Sequence, residues 1–165
     1  MSGSIDIAEA VVAAWDDADL DDFFTALWAA DDVGEYPVLQ DHEATPGQPF
    51  PYVVFEQQQS QTIARMSKGK LDKWEIRDVP FKFTVYAGKN ASDARSPKKI
   101  AADLAEEIIK VFGGDATQTP ATLELETGNF LIAQYQNDFG TMQGDDQYSW
   151  EVNYIIRVDI PVKTG

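Results

Sequence analysis

The segment Tyr148–Ile160, YSWEVNYIIRVDI, constrains the fold more than any other part of the chain. Every second residue is large and apolar or aromatic: Tyr148, Trp150, Val152, Tyr154, Ile156, Val158 and Ile160. Between them lie Ser149, Glu151, Asn153, Ile155, Arg157 and Asp159, which are mostly polar. Strand side chains point alternately to opposite faces, so a period of two predicts one buried and one wetter face. Pro161 removes a ladder donor just beyond and predicts the strand's end. At ~3.3 Å per residue the stretch reaches roughly 43 Å, about twice the usual strand length. Burying its apolar set offers on the order of 10–20 kcal/mol before entropy is subtracted. A strand of this kind needs antiparallel neighbours and a cover over its apolar face.

The rest of the chain predicts both. A helix over 4–15 is capped by Ser4, with Ile5, Ala8, Val11, Val12 and Trp15 at helical spacing. Asp19 is the expected N-cap of a second helix whose stripe is Leu20, Phe23, Phe24, Leu27 and Trp28. Gly34 closes this helical N-terminal segment, 1–34. A proline-rich loop follows, with a short edge strand at Tyr36–Gln40. Tyr52–Glu56 and Trp74–Ala87 read as the strands of a long hairpin, 52–87. In the second, Val79, Phe81, Phe83 and Val85 share one face, and Pro80 points to an edge or bulge. The hairpin's tip is basic: Arg65, Lys68, Lys70, Lys73 and Arg77. Ser96 as cap, Pro97 at the first helical position and Gly113–Gly114 as stop bound a covering helix, 96–113. A C-terminal hairpin spans 122–162. Its first strand alternates through Leu123 and Leu125 and slips phase in a bulge at Gly128; its turn is expected over Asn137–Gln147. The predicted fold is one α+β domain, 1–165: a single, mostly antiparallel sheet of long strands with helices on one face.

Charge narrows the function classes. The net charge is −15, unevenly spread. Residues 1–64 hold 13 acidic and no basic side chains, 65–99 hold 10 basic against 4 acidic, and 100–165 are again acidic. Phosphate contacts need a basic surface, so general nucleic-acid binding is disfavoured. No apolar run approaches the length of a membrane span. Cysteine is absent, which excludes disulfides and thiolate metal sites. The first ten residues show no basic n-region followed by an apolar run, so an intracellular site of synthesis is expected.

A search for chemistry finds little. The single histidine, His42, stands between Asp41 and Glu43 in the proline-rich loop, and sequence neighbours seldom face each other productively. Asp17, Asp19 and Asp21 resemble half a calcium loop, but Asp22 and Trp28 occupy the positions that require glycine and glutamate. Glu124 and Glu126 share a strand face in the manner of solvent-side residues. Lys68-Gly69-Lys70 lacks the spaced glycine and hydroxyl of a phosphate loop. No catalytic, cofactor or metal residue is expected. The basic tip is either a solvated turn or a complement to acidic surface on another copy or partner.

One resemblance is carried by FPYVVFE (Phe50–Glu56), DVPFKFTVYAG (Asp78–Gly88), IAADLAEEIIKVF (Ile100–Phe112) and WEVNYIIRVDIPV (Trp150–Val162), behind an acidic helical start. The pattern resembles the tail terminator, or tail-completion, proteins of long-tailed bacteriophages over roughly residues 5–162. The resemblance implies a structural virion protein and not an enzyme. It implies a ring, usually of six copies, at the head-proximal end of the tail, which ends tube polymerisation and joins tail to head. The implied partners are other copies, the tail tube protein and the head connector or stopper, with DNA passing through the lumen unbound. The expected interface residues are Arg65, Lys68, Lys70, Lys73, Arg77, Trp150 and Tyr154; the last two are chosen because the final strand outruns what one helix can cover. Two alternatives stay open: another neck or tail component of the same fold, and a small ligand-binding domain or enzyme using Asp41, His42 or Tyr86.

Overall fold

The computed structural model describes residues 6–67, 73–89, 93–144 and 146–161. The alternating segment is the sixth strand of one sheet, β6 (Gln147–Pro161), and it pairs antiparallel along its length with β4 (Lys73–Gly88). On its other side lies β5 (Asn129–Gly144), also antiparallel. β4 carries β2 (Tyr52–Gln57) and β3 (Gln61–Ser67) end to end on its far side, and β1 (Leu39–Asp41) adds to β2 in parallel. The order is β1-β2-β4-β6-β5, with β3 beside β4. The expected α+β class and mostly antiparallel sheet are what the chain forms.

The alternation in β6 sorts its residues as its pattern predicts. Val152, Tyr154, Ile156, Val158 and Ile160 lie buried in register with Phe83, Phe81, Val79, Arg77 and Glu75 of β4. This inner face is covered by α3 (Pro97–Phe112) and α1 (Ala8–Asp17). Ser96 caps α3 by accepting a hydrogen bond from the Lys99 backbone N–H at 3.2 Å. Ile100, Leu104, Ile108 and Phe112 form its buried stripe. Trp15 of α1 stacks on Phe83 with centroids 5.9 Å apart. The opposite, open face presents Lys82, Thr84, Tyr86, Glu151, Asn153, Ile155 and Arg157.

Pro80 sits inside the sheet, not at an edge, opposite Ile155. Its carbonyl accepts from the Gln58 N–H at 2.8 Å, and its donor-less nitrogen faces the break between β2 and β3.

Several local expectations change. α1 begins at Ala8, and Ser4 lies outside the described residues. Asp19 does not cap a helix. It takes a left-handed turn, φ 52°, after which α2 (Asp21–Thr25) lasts five residues. The chain then continues in tight turns, Leu27 and Trp28 donating to Phe24 and Thr25, so Phe24 and Trp28 are buried while Phe23 faces outward. Residues 122–127 form no strand: Leu123 is buried under the core without a ladder partner. The register slips inside β5, between Phe130 and Ile132, Tyr135 and Asn137, and Met142 and Gly144. Phe130 and Ile132 therefore fall on opposite faces. The expected turn over Asn137–Gln147 is mostly strand, with β5 running on to Gly144.

Candidate assembly interface

The residues expected at an interface scatter. Arg65 is exposed on β3, its side chain 77% accessible, and reaches the Glu75 carboxylate at 3.2 Å. Lys73 is exposed at the start of β4. Lys68 and Lys70 lie outside the described residues. Arg77 does not belong to an exposed tip. It has the parity of Val79 and Phe81, so it points to the inner face, where it is buried and bonds Glu75 at 3.0 Å and Ser60 at 3.4 Å. Lys73 and Arg77 share a face of β4 and Arg65 pairs with Glu75 between them, so the cations differ in how far along that face the cover reaches: Arg77 is buried while Arg65 and Lys73 are exposed. Burial alone raises the Glu75 carboxyl, but the Arg77 hydrogen bond and the Arg77 and Arg65 charges outweigh it and hold the group below the usual carboxylate range.

Tyr154 is also interior. Its hydroxyl donates to the Gly113 carbonyl at 2.7 Å, at the end of α3, and burial raises its pKa. Trp150 is half-buried, and its indole N–H donates to Asp138 at 2.6 Å. Asp138 also accepts from Tyr135, whose pKa is pushed up to about 12 by burial and by that bond. Tyr154 is therefore covered within the chain, while Trp150 stays partly exposed.

What the sheet does expose is its edges. β5 is the outer strand on one side, sixteen residues long. Leu131, Ile132, Phe139 and Met142 on it are 45–71% exposed. On the far side the lower half of the edge is β3, where Ile63 is 43% exposed at a bulge between Thr62 and Ala64. Sequence reasoning missed β5 as a surface because its glycines and polar residues read as a turn.

The open face carries charges that pair among themselves. Lys82 lies 3.1 Å from Glu56 and 3.3 Å from Glu151. Arg157 bonds Asp78 at 2.8 and 3.1 Å, and Asn129 donates to Asp159 at 3.1 Å. The Glu56 hydrogen bond, more than the partial burial that opposes it, raises the Lys82 pKa. Around this cluster the sheet forms a groove of about 430 Å³, with Tyr52 and Tyr86 stacked at 5.1 Å and His42 on its rim. Burial raises both tyrosines. His42 is paired with its neighbour Asp41 and is largely exposed. Among the described residues no group of three or more histidine or acidic side chains is placed to hold a metal ion, and no helix is long and apolar enough to cross a membrane.

No family model matches the chain, and no curated protein matches it. A chain of a solved structure described as the virion of a native gene transfer agent particle is similar to it, at 18% identity and a TM-score of 0.47. The overlap covers 93% of this chain and 91% of that one. A likeness this distant carries no argument about function.

Proposed function

We propose that this chain is a structural protein of a phage-like virion, a tail terminator whose copies form a ring at the head-proximal end of the tail. The observation that carries the reading is β5: a sixteen-residue outer strand with four large apolar side chains exposed. A long edge of this kind without lysine or proline is hazardous in a monomer, and pairing between copies removes the hazard. The sequence pattern shared with tail terminators points the same way. In this reading the helices face outward and the open face lines the lumen. Charges already paired within that face leave few free cations for phosphate, which suits passage of DNA without adhesion. The head connector and tail tube meet the two rims.

Light scattering and negative-stain images of the purified protein, alone and with tail tube protein, test this. Closed rings that cap tubes are expected. Long filaments from the protein alone mark a tube protein instead, and a strict monomer that leaves tubes uncapped overturns the proposal. The groove at Lys82 favours one second reading, a ligand-binding domain. A small molecule that raises the melting temperature in wild type but not in a Tyr86→Ala variant supports that reading over the first.

A further inference from the structure

The two open edges of the sheet match each other, and the match specifies how neighbouring copies meet. Rows run across the sheet from Asn129 through Asp159 and Ile76 to Ala64, and from Phe130 through Val158 and Arg77 to Thr62. Leu131 stands between Phe130 and Ile132, and Ile63 between Thr62 and Ala64, each at a register shift. Ile63 lies between the rows of Ile76 and Arg77 and Leu131 between those of Arg77 and Asp78, so the exposed apolar residues of the two edges stand about one residue apart in level, with Ile132 beside the second. β5 runs antiparallel to β6, β6 to β4, and β4 to β3, so β5 of one copy set beside β3 of the next is again antiparallel. Bulges can turn an edge away from pairing, but these aim large apolar side chains outward.

Charge complements the shape. The approach to β5 is acidic: Glu124 and Glu126 just before it are exposed, and no lysine or arginine occurs between Lys110 and Arg157. The β3 edge carries exposed Arg65, and exposed Lys73 of β4 stands opposite Ser67 at its end. Pairing two β5 strands about a two-fold axis would set the Glu126 end of one against the Asp146 end of the other, acid on acid. A head-to-tail contact between unlike edges avoids this and repeats around a closed ring.

We infer that the start of β5 in one copy, Asn129–Ile132, pairs antiparallel with β3 of the next, Leu131 and Ile132 meeting Ile63 while Glu124 and Glu126 face Arg65 and Lys73. The inference rests on the ring reading. Because the chain has no cysteine, engineered pairs report the contact cleanly. Ile63→Cys is combined in one chain with Leu131→Cys, and separately with Ile132→Cys. All three sites are exposed, and an unchanged thermal melt checks folding. Mild oxidation followed by non-reducing electrophoresis is expected to give, for at least one pair, a ladder ending at the ring's copy number, while mixed single variants stop at covalent dimers. Rings seen by negative stain with no ladder from either pair overturn this inference and leave the ring standing. Covalent dimers from Leu131→Cys or Ile132→Cys alone establish a two-fold edge and overturn it too. A monomer by light scattering, with no covalent product, overturns both.

Discussion

Gly140→Ala tests whether the hairpin end of the sheet is built as described. Gly140 lies in β5 opposite Trp150, on the inner face. Its backbone is outside the left-handed region, so alanine meets no backbone strain. In an ordinary strand position the change stabilises by about 0.4–1 kcal/mol through the unfolded chain. Here a Cβ falls 2.4 Å from Tyr148 Cε1 and 2.6 Å from Trp150 Cε3. Carbon atoms prefer roughly 3.5–4.0 Å, so both rings must retreat by about 1 Å. Trp150 is tethered through its indole N–H to Asp138 and cannot retreat without stretching a charge-assisted hydrogen bond. Overpacking of this kind costs about 1–3 kcal/mol, which exceeds the entropic gain. The net is a destabilisation of about 1–2 kcal/mol, or roughly 2–8 °C in melting temperature for a chain of this length. Urea unfolding followed by tryptophan fluorescence measures it. In a Trp150→Ala background the cost should shrink, because one of the two clashes is gone. A Gly140→Ala protein as stable as wild type, or more so, refutes the placement of both rings over this glycine.

Other outcomes follow from the interior polar groups and from Lys68, Lys70 and Lys73. Arg77→Ala leaves Glu75 buried without its main partner and should cost about 3–5 kcal/mol, whereas replacing both with methionine should recover most of the loss in the same urea titration. Glu75 is held below its usual value, so its contribution is complete above the ordinary carboxylate range. It fades as pH falls through the lowered value; an acid titration of wild type should show that limb, and Glu75→Gln with Arg77→Met should flatten it. Tyr154→Phe strands the Gly113 carbonyl and should cost about 1–3 kcal/mol, read as a lower urea midpoint with unchanged slope. Reversing charge at Lys68, Lys70 and Lys73 together should weaken assembly in light scattering, more at low salt than at high; unchanged assembly returns these lysines to a solvated role.

Signals that are local in the chain were legible. The period-two runs of β4 and β6 and the Ser96–Pro97 start of α3 each rest on neighbours within a few residues, and each forms where expected. Signals that need a partner strand were not. Leu123 and Leu125 alternate like a strand, yet no ladder reaches them, and they serve as packing beneath the core. The Glu56–Lys82–Glu151 cluster joins three strands, and nothing short of their register brings those side chains within 3.3 Å. The second half of β5, from Asn137, was hidden because glycine in a polar run signals a turn when only the run is visible. Gly140 is glycine for a reason written on another strand: Tyr148 and Trp150 of β6 occupy the space of its side chain.

That exchange also answers why β6 can be so long. A sixteen-residue helix spans about 24 Å at 1.5 Å per residue, well short of a fifteen-residue strand at roughly 3.3 Å each. The mismatch pointed to Trp150 and Tyr154 as contacts with another subunit, but the chain buries Tyr154 and partly covers Trp150. Tyr154 is capped where α3 ends, by the Gly113 carbonyl. Tyr148 and Trp150 lie beyond the helix and lean back over Gly140, with Asp138 holding the indole. At the opposite end Glu75 and Arg77 extend the inner face as a buried ion pair in line with Ile160 and Val158. From Val152 to Ile160 the inner face is thus covered by the chain's own residues. The need for a partner falls instead on the strand edges, where the backbone of β5 and the side chains of Leu131, Ile132 and Ile63 remain open.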